Sequence, residues 1–191
     1  MKMLILFRRT KRLLFTWVLA CLLPLMTWAN VWQDPDTKVN YEYTPGKTEA
    51  SVMAGENNAG MYTSGSPDVS GDITILSSFT VDGNIYSVTS IGDDAFACCS
   101  TMTSISIPSS ITKIWTTVFR SCDALESIFI DTGNTVYDSR DNCNAIVETS
   151  TNTLIAGCKN TAIPNSITSI GHGAFEECWG LKSITIRNSR I

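Results

Sequence analysis

Six cysteines follow residue 29: Cys98, Cys99, Cys122, Cys143, Cys158 and Cys178. An even set of thiols can form a disulfide framework in an exported chain, or hold a metal where pairs lie two residues apart. No Cys-x-x-Cys pair is present and His172 is the only histidine, so a zinc donor set is missing. His172 stands two residues after Ile170, at a place that other copies of the same pattern fill with Asp93 and Thr116. Such variety belongs to an exposed turn rather than to a general base. Asp93-Asp94 and Glu176-Glu177 are paired carboxylates, but a glycosidase needs its acids facing each other across a cleft. Adjacent residues diverge, and turn capping or solvation suits these pairs better. Asp138, Asp141, Asn142 and Asn144 offer oxygen ligands for calcium, without the glycine and terminal glutamate of a calcium loop. With no nucleophile, base and metal set converging, the sequence reads as a non-enzyme with no cofactor and no metal.

The elements that carry these residues recur at a fixed interval. Ile91 to Ile114, Phe96 to Phe119, Cys99 to Cys122 and Ile107 to Ile130 are each separated by 23 positions, and a further copy, with Ile170, Phe175, Cys178 and Ile186, lies 56 positions beyond the second. Since 56 is one interval of 23 plus one of 33, a longer repeat stands between. Each copy ends in apolar-x-x-Ile-x-Ile: Met102/Ile105/Ile107, Leu125/Ile128/Ile130 and Leu181/Ile184/Ile186. This is a leucine-rich-repeat strand, whose side chains alternate between the interior of a stack and its outer face. One such coil buries too few apolar groups to offset its ordering entropy, so the coils must stack to fold. The stretch from Gly92 to Cys99 reads as a tight turn or a helical turn on the opposite side.

The fold class expected is therefore a leucine-rich-repeat solenoid, mostly β with short turns or helical turns, behind an N-terminal β cap. Residues 88–191 would form about four coils, the third carrying an inserted hairpin within 135–166, where two apolar runs, 145–148 and 154–158, flank small polar residues. Residues 30–87 read as the cap, with strands at 39–44, 50–53 and 71–76, a hairpin over 79–88 turning at Asp82-Gly83, and a mobile Gly- and Ser-rich loop over 55–70. Cys99, Cys122 and Cys178 become rungs of one interior ladder. Rungs stand about 4.8 Å apart, within disulfide range, but parallel stacking meets the S–S torsion poorly. Buried thiols acting as small hydrophobes are the reading adopted, with a disulfide as its alternative.

The strand positions that point outward are the candidate binding residues: Ser104 and Ser106, Ser127 and Phe129, Ser183 and Thr185, with Asp131 and Arg187 just beyond. A large aromatic on a face of small polar groups has no packing reason to be there, which singles out Phe129 unless a loop covers it.

The pattern from Val88 through Phe96, its copies, and the stretch 137–170 resemble the BspA-like leucine-rich-repeat family of bacterial surface proteins, over residues 88–191 with a family-like β segment ahead. The resemblance implies export, association with host-dwelling anaerobes, and adhesion to a host extracellular protein or glycan or to another bacterial surface. The family offers no motif that fixes a ligand. The alternative is a structural or self-associating envelope protein that uses an open C-terminal end, unless further repeats follow.

Residues 1–29 begin with Lys2, Arg8, Arg9, Lys11 and Arg12 and continue with an apolar run, the pattern of a signal peptide cleaved after Ala29. A lipobox reading at Val18-Leu19-Ala20-Cys21 would instead anchor Cys21 in the outer membrane, although Leu22 and Leu23 follow it. Pro24 interrupts the run as a membrane span, and no transmembrane segment is expected once the signal is removed. That segment holds five of the 14 Lys and Arg and none of the 18 Asp and Glu, which leaves nine basic against 18 acidic residues, a formal charge of about −9. Such a balance repels phosphate backbones and excludes nucleic acid as a partner. The expected location is secreted or on the cell surface.

Overall fold

The computed structural model describes residues 29–55 and 68–184. The signal-peptide and Cys21 readings, much of the Gly- and Ser-rich loop, and residues Thr185, Ile186 and Arg187 lie outside the described residues. The chain forms β1 (Asn30–Gln33), β2 (Asn40–Tyr43), β3 (Glu49–Met53), β4 (Ser70–Thr74), β5 (Ser78–Val81), β6 (Asn84–Ile91) and β7 (Thr101–Ile107). It continues with β8 (Lys113–Ile114), β9 (Ser127–Ile130), β10 (Tyr137–Asp138), β11 (Ala145–Glu148), β12 (Thr153–Gly157) and β13 (Ser169–Ile170).

Two parallel ladders run up the stack. In one, β3 pairs with β6 and β6 with β8; in the other, β4 pairs with β7 and β7 with β9. The segment ahead of the repeats thus supplies the first rung of both. A recurring bulge explains the apolar-x-x-apolar-x-apolar spacing. The register between β4 and β7 slips at Thr103, passing from Gly71↔Met102 to Asp72↔Ser104, so Met102 points inward along with Ile105 and Ile107. The same slip at Thr89 turns both Val88 and Ile91 into the core.

Instead of a helical turn, the opposite side of each coil is a run of tight turns: Ala97 N–H donates to Asp94 O, Cys99 to Phe96 and Met102 to Cys99. Two left-handed residues recur in each of three coils. Asp94 (φ 52°), Thr117 (56°) and Gly173 (68°) share one column, and Cys98 (60°), Ser121 (57°) and Glu177 (50°) share another. Only one of the six is glycine. The conformation is imposed by neighbouring coils, whose backbones bond across it: Phe96 N–H to Val118 O at 3.1 Å and Cys98 N–H to Arg120 O at 2.8 Å.

At the N-terminal end the five-strand order β1-β2-β3-β6-β5 curls, bringing Trp32 of β1 face to face with Phe79 of β5 at 4.8 Å. Tyr41, Tyr43 and Tyr86 complete an aromatic cluster. Asp82 and Gly83 both take positive φ, as a two-residue turn between β5 and β6 requires. Tyr41 and Tyr137 do the same job in two parts of the fold: each hydroxyl accepts a backbone N–H, from Leu76 and from Ile114, at 3.1 Å.

The hairpin expected in the third coil is β11–β12, and β12 pairs in parallel with β13. Its entry is locked by Asn134, which the interval of 23 places in the column of Val88 and Ile111. The Asn134 amide nitrogen donates to Ile111 O at 2.9 Å and Pro108 O at 3.2 Å, and its oxygen accepts from the N–H groups of Val136 and Tyr137 at 2.9 Å each. Phe96 and Phe119 stack with centroids 6.0 Å apart, as the spacing predicts. Phe175 is only half-buried and packs in a second, smaller cluster with Ala145, Val147 and Leu154. Coil three brings Gly157 to that place, and a Cβ there would lie 2.2 Å from Phe175 Cε1.

Gly157→Ala should therefore destabilise by roughly 1–3 kcal/mol through overpacking. Asn134→Ala should cost more, about 2–4 kcal/mol, because it strands buried backbone groups in two coils. Denaturant melts of both variants check the order; equal stability for Asn134→Ala and the parent would remove the amide's structural role.

Candidate functional site

The outward face of β4, β7 and β9 carries two rows in register: Asp72, Ser104 and Ser127, then Thr74, Ser106 and Phe129. Neighbouring strands lie about 4.8 Å apart and successive outward residues about 6.6 Å apart, so a carboxylate occupies one corner of the patch and a phenyl ring the opposite one. Thr103 and Ser104 donate hydroxyl hydrogen bonds to Asp72 Oδ1 at 2.8 and 2.7 Å. Those hydroxyls hold the Asp72 carboxyl below its ordinary value. The ring of Phe129 remains 54 % exposed, so no loop among the described residues covers it.

The other sequence-derived candidates are placed differently. Asp131 is exposed and closes its own turn, accepting from Gly133 N–H at 2.7 Å. Ser183 lies off this sheet, in an irregular segment, because the flank of β9 is already occupied: Ser139 Oγ donates to Ile128 O at 3.0 Å from the hairpin coil. Leu181 and Ile184 accordingly form no strand within the described residues. Asp72 was not among the candidates. Its signal in the sequence was the unread copy of the strand pattern before residue 88.

Several of the side chains weighed for acid–base or metal chemistry have a structural partner. Asp93 Oδ1 accepts from Thr116 and Thr117 at 3.2 and 2.9 Å. Arg120 joins three coils, its Nε 3.3 Å from Asp94 and its Nη1 3.2 Å from Glu177. The fourth coil's turn thus reaches the second's at Arg120 and Ser121, while the third coil brings in Gly157, whose N–H donates to Ala174 O at 2.8 Å. Asp138 of the loose calcium pattern is engaged by Arg140, Nη2 to Oδ2 at 2.7 Å. His172 is exposed.

The six cysteines are thiols rather than disulfides. Contact with Cys99, then burial, push the Cys122 thiol far above its ordinary range, and Cys122 Sγ donates to Phe96 O at 2.9 Å. Burial likewise raises Cys143, Cys158 and Cys178. Cys158 of the hairpin coil lies near enough to Cys178 for the Cys178 charge to add to that rise.

A stacked, parallel-laddered array with this repeat defines a leucine-rich-repeat protein. The chain belongs to the family described as the BspA type leucine rich repeat region, whose six-copy model matches residues 73–153 and 146–191. Among solved structures it is similar to a leucine-rich repeat protein from Bacteroides ovatus, at 25% identity and a TM-score of 0.46, over 73% of this chain and 32% of that one. A leucine-rich repeat protein from Bacteroides capillosus is 18% identical with a TM-score of 0.45, covering 83% of this chain and 99% of the other. A leucine rich cell surface protein from Faecalibacterium prausnitzii is 18% identical with a TM-score of 0.43, over 82% and 54%. The chain thus spans about a third of the first of these. No curated protein matches it.

Stability should fall as pH rises above about 9. The thiols of Cys122, Cys143, Cys158 and Cys178 hold their protons when folded and release them near their ordinary value of 9.0 when unfolded, so alkali favours the unfolded chain. Tyr41, raised to about 12, adds the same sign at higher pH. Urea midpoints measured from pH 7 to 10.5 should decline, and native labelling with a bulky thiol reagent should modify exposed Cys98 first. Rapid modification of Cys122 in the folded protein would contradict its burial.

Proposed function

We propose that the protein is an exported surface protein that binds a partner outside the cell through the face of β4, β7 and β9. The partner class is a host extracellular protein or glycan, or the surface of another bacterium. The observation that carries the reading is Phe129, 54 % exposed among hydroxyl side chains on a rigid parallel sheet. A ring that exposed adds little to the core, while it offers a partner a large apolar contact whose backbone is already ordered. Family membership and the basic-then-apolar N-terminal segment support export. Cleavage after Ala29 leaves β1, which starts at Asn30, intact, and lipidation at Cys21 would add a short tether ahead of it.

The purified protein, probed against arrays of extracellular-matrix proteins and glycans, should capture a ligand as a monomer. Phe129→Ala should weaken that capture about tenfold or more while leaving the melting temperature unchanged. Concentration-dependent oligomers with no array ligand would replace the reading with that of a self-associating envelope protein.

A further inference from the structure

We propose a second contact site, on the turn side of the fourth coil, in which Trp179 and the cleft beside it take a sugar that bears a carboxylate, a uronic or sialic acid. The site is independent of the Phe129 face.

Trp179 is 77 % exposed, more than any other large apolar side chain among the described residues. Its place in the repeat is that of Ser100 in the first coil and Asp123 in the second. Both of those residues are exposed although their coils are covered on either side, so the column points outward by the geometry of the repeat. Ile170 differs in kind. It is 40 % exposed, but its column holds fully buried Ile91, so its exposure depends on what stacks next. A tryptophan in a column that other coils fill with serine and aspartate gains nothing from packing, and such a side chain marks a contact.

The next residue, Gly180, lines an open cleft of about 490 Å³ together with Asp123, Lys159, Asn160, Lys182 and Ser183. That volume suits a small ligand. The floor exists because Gly180 has no side chain: a Cβ there would stand 3.1 Å from both Asp123 O and Lys159 Cβ. The fourth coil closes onto the second and third at that point, and Trp179 immediately precedes the glycine.

The cleft carries two basic side chains, Lys159 and Lys182, against one acid, Asp123. Lys159 is engaged by Glu126 at 2.9 Å, while Lys182 is exposed at the cleft. One exposed ammonium beside Asn160, Ser183 and the acid Asp123 is a poor match for a dense polyanion, which Asp123 would repel. It suits a polyhydroxyl ligand with a single negative group. A pyranose lays its C–H face on an indole, its hydroxyls meet the Asn, Ser and Asp side chains, and its carboxylate forms a charge-assisted hydrogen bond with the lysine.

Titration of the purified protein with trigalacturonate, with sialyllactose and with neutral lactose, followed by ¹H–¹⁵N NMR, tests the site. One or both acidic sugars should shift the Trp179 indole N–H and residues 180–183, and the acid that binds identifies the source. Trp179→Ala should weaken binding at least tenfold, Lys182→Gln should erase the advantage over lactose, and Phe129→Ala should change nothing. All three side chains are exposed, so unchanged melting temperatures confirm that the variants fold. Lactose binding as well as the acids, no shift of the indole with either acid, or undiminished binding by Trp179→Ala would each overturn the proposal.

Discussion

Everything in this molecule depends on one coil's backbone satisfying the next. The N–H groups of Gly92, Trp115 and Gly171 donate to Val52, Ile91 and Leu154 at 2.8, 3.0 and 2.8 Å, each reaching into the coil or strand below. A single coil has neither the apolar area nor the hydrogen-bond partners to hold its own shape. Stacking supplies both at once, and the aromatic cap on β1, β2 and β5 prevents the first coil from presenting an unpaired, apolar surface to water.

The third coil shows how an irregular insertion is accommodated. It adds β10, β11 and β12 and brings Gly157 and Cys158 to the turn side, and Arg120 still reaches from Asp94 to Glu177. A polar residue, Asn134, replaces the aliphatic of its column because the chain must leave the regular path there, and its four hydrogen bonds specify where. The outward face inherits a boundary from the same event: Ser139 caps the flank of β9, and among the described residues Phe129 is the last member of its row.

The interval of 23 made the stack legible, since it repeats the same buried types, and the paired apolar runs made the β11–β12 hairpin legible too. The short strand β1 was not, because Asn30-Val31-Trp32-Gln33 has little pattern of its own and owes its conformation to pairing with β2 and to the Phe79 ring. Phe129 could be found from strand alternation. Asp72 and Trp179 required knowing which columns turn outward, and Asn134 appears as a polar exception only once the column of Val88 and Ile111 is drawn. Thr103 and Thr89 carry no signal for a bulge beyond the three-residue step that encloses them.

The left-handed turn residues bear on how the array comes apart. Asp94, Thr117, Cys98, Ser121 and Glu177 hold a backbone shape that their side chains disfavour, at a cost of order 1 kcal/mol each, and adjoining turns enforce it. A terminal coil that loses its neighbour also loses the only reason to keep that shape. Disorder would then travel inward from the ends like an opening zipper, with interior coils the last to yield.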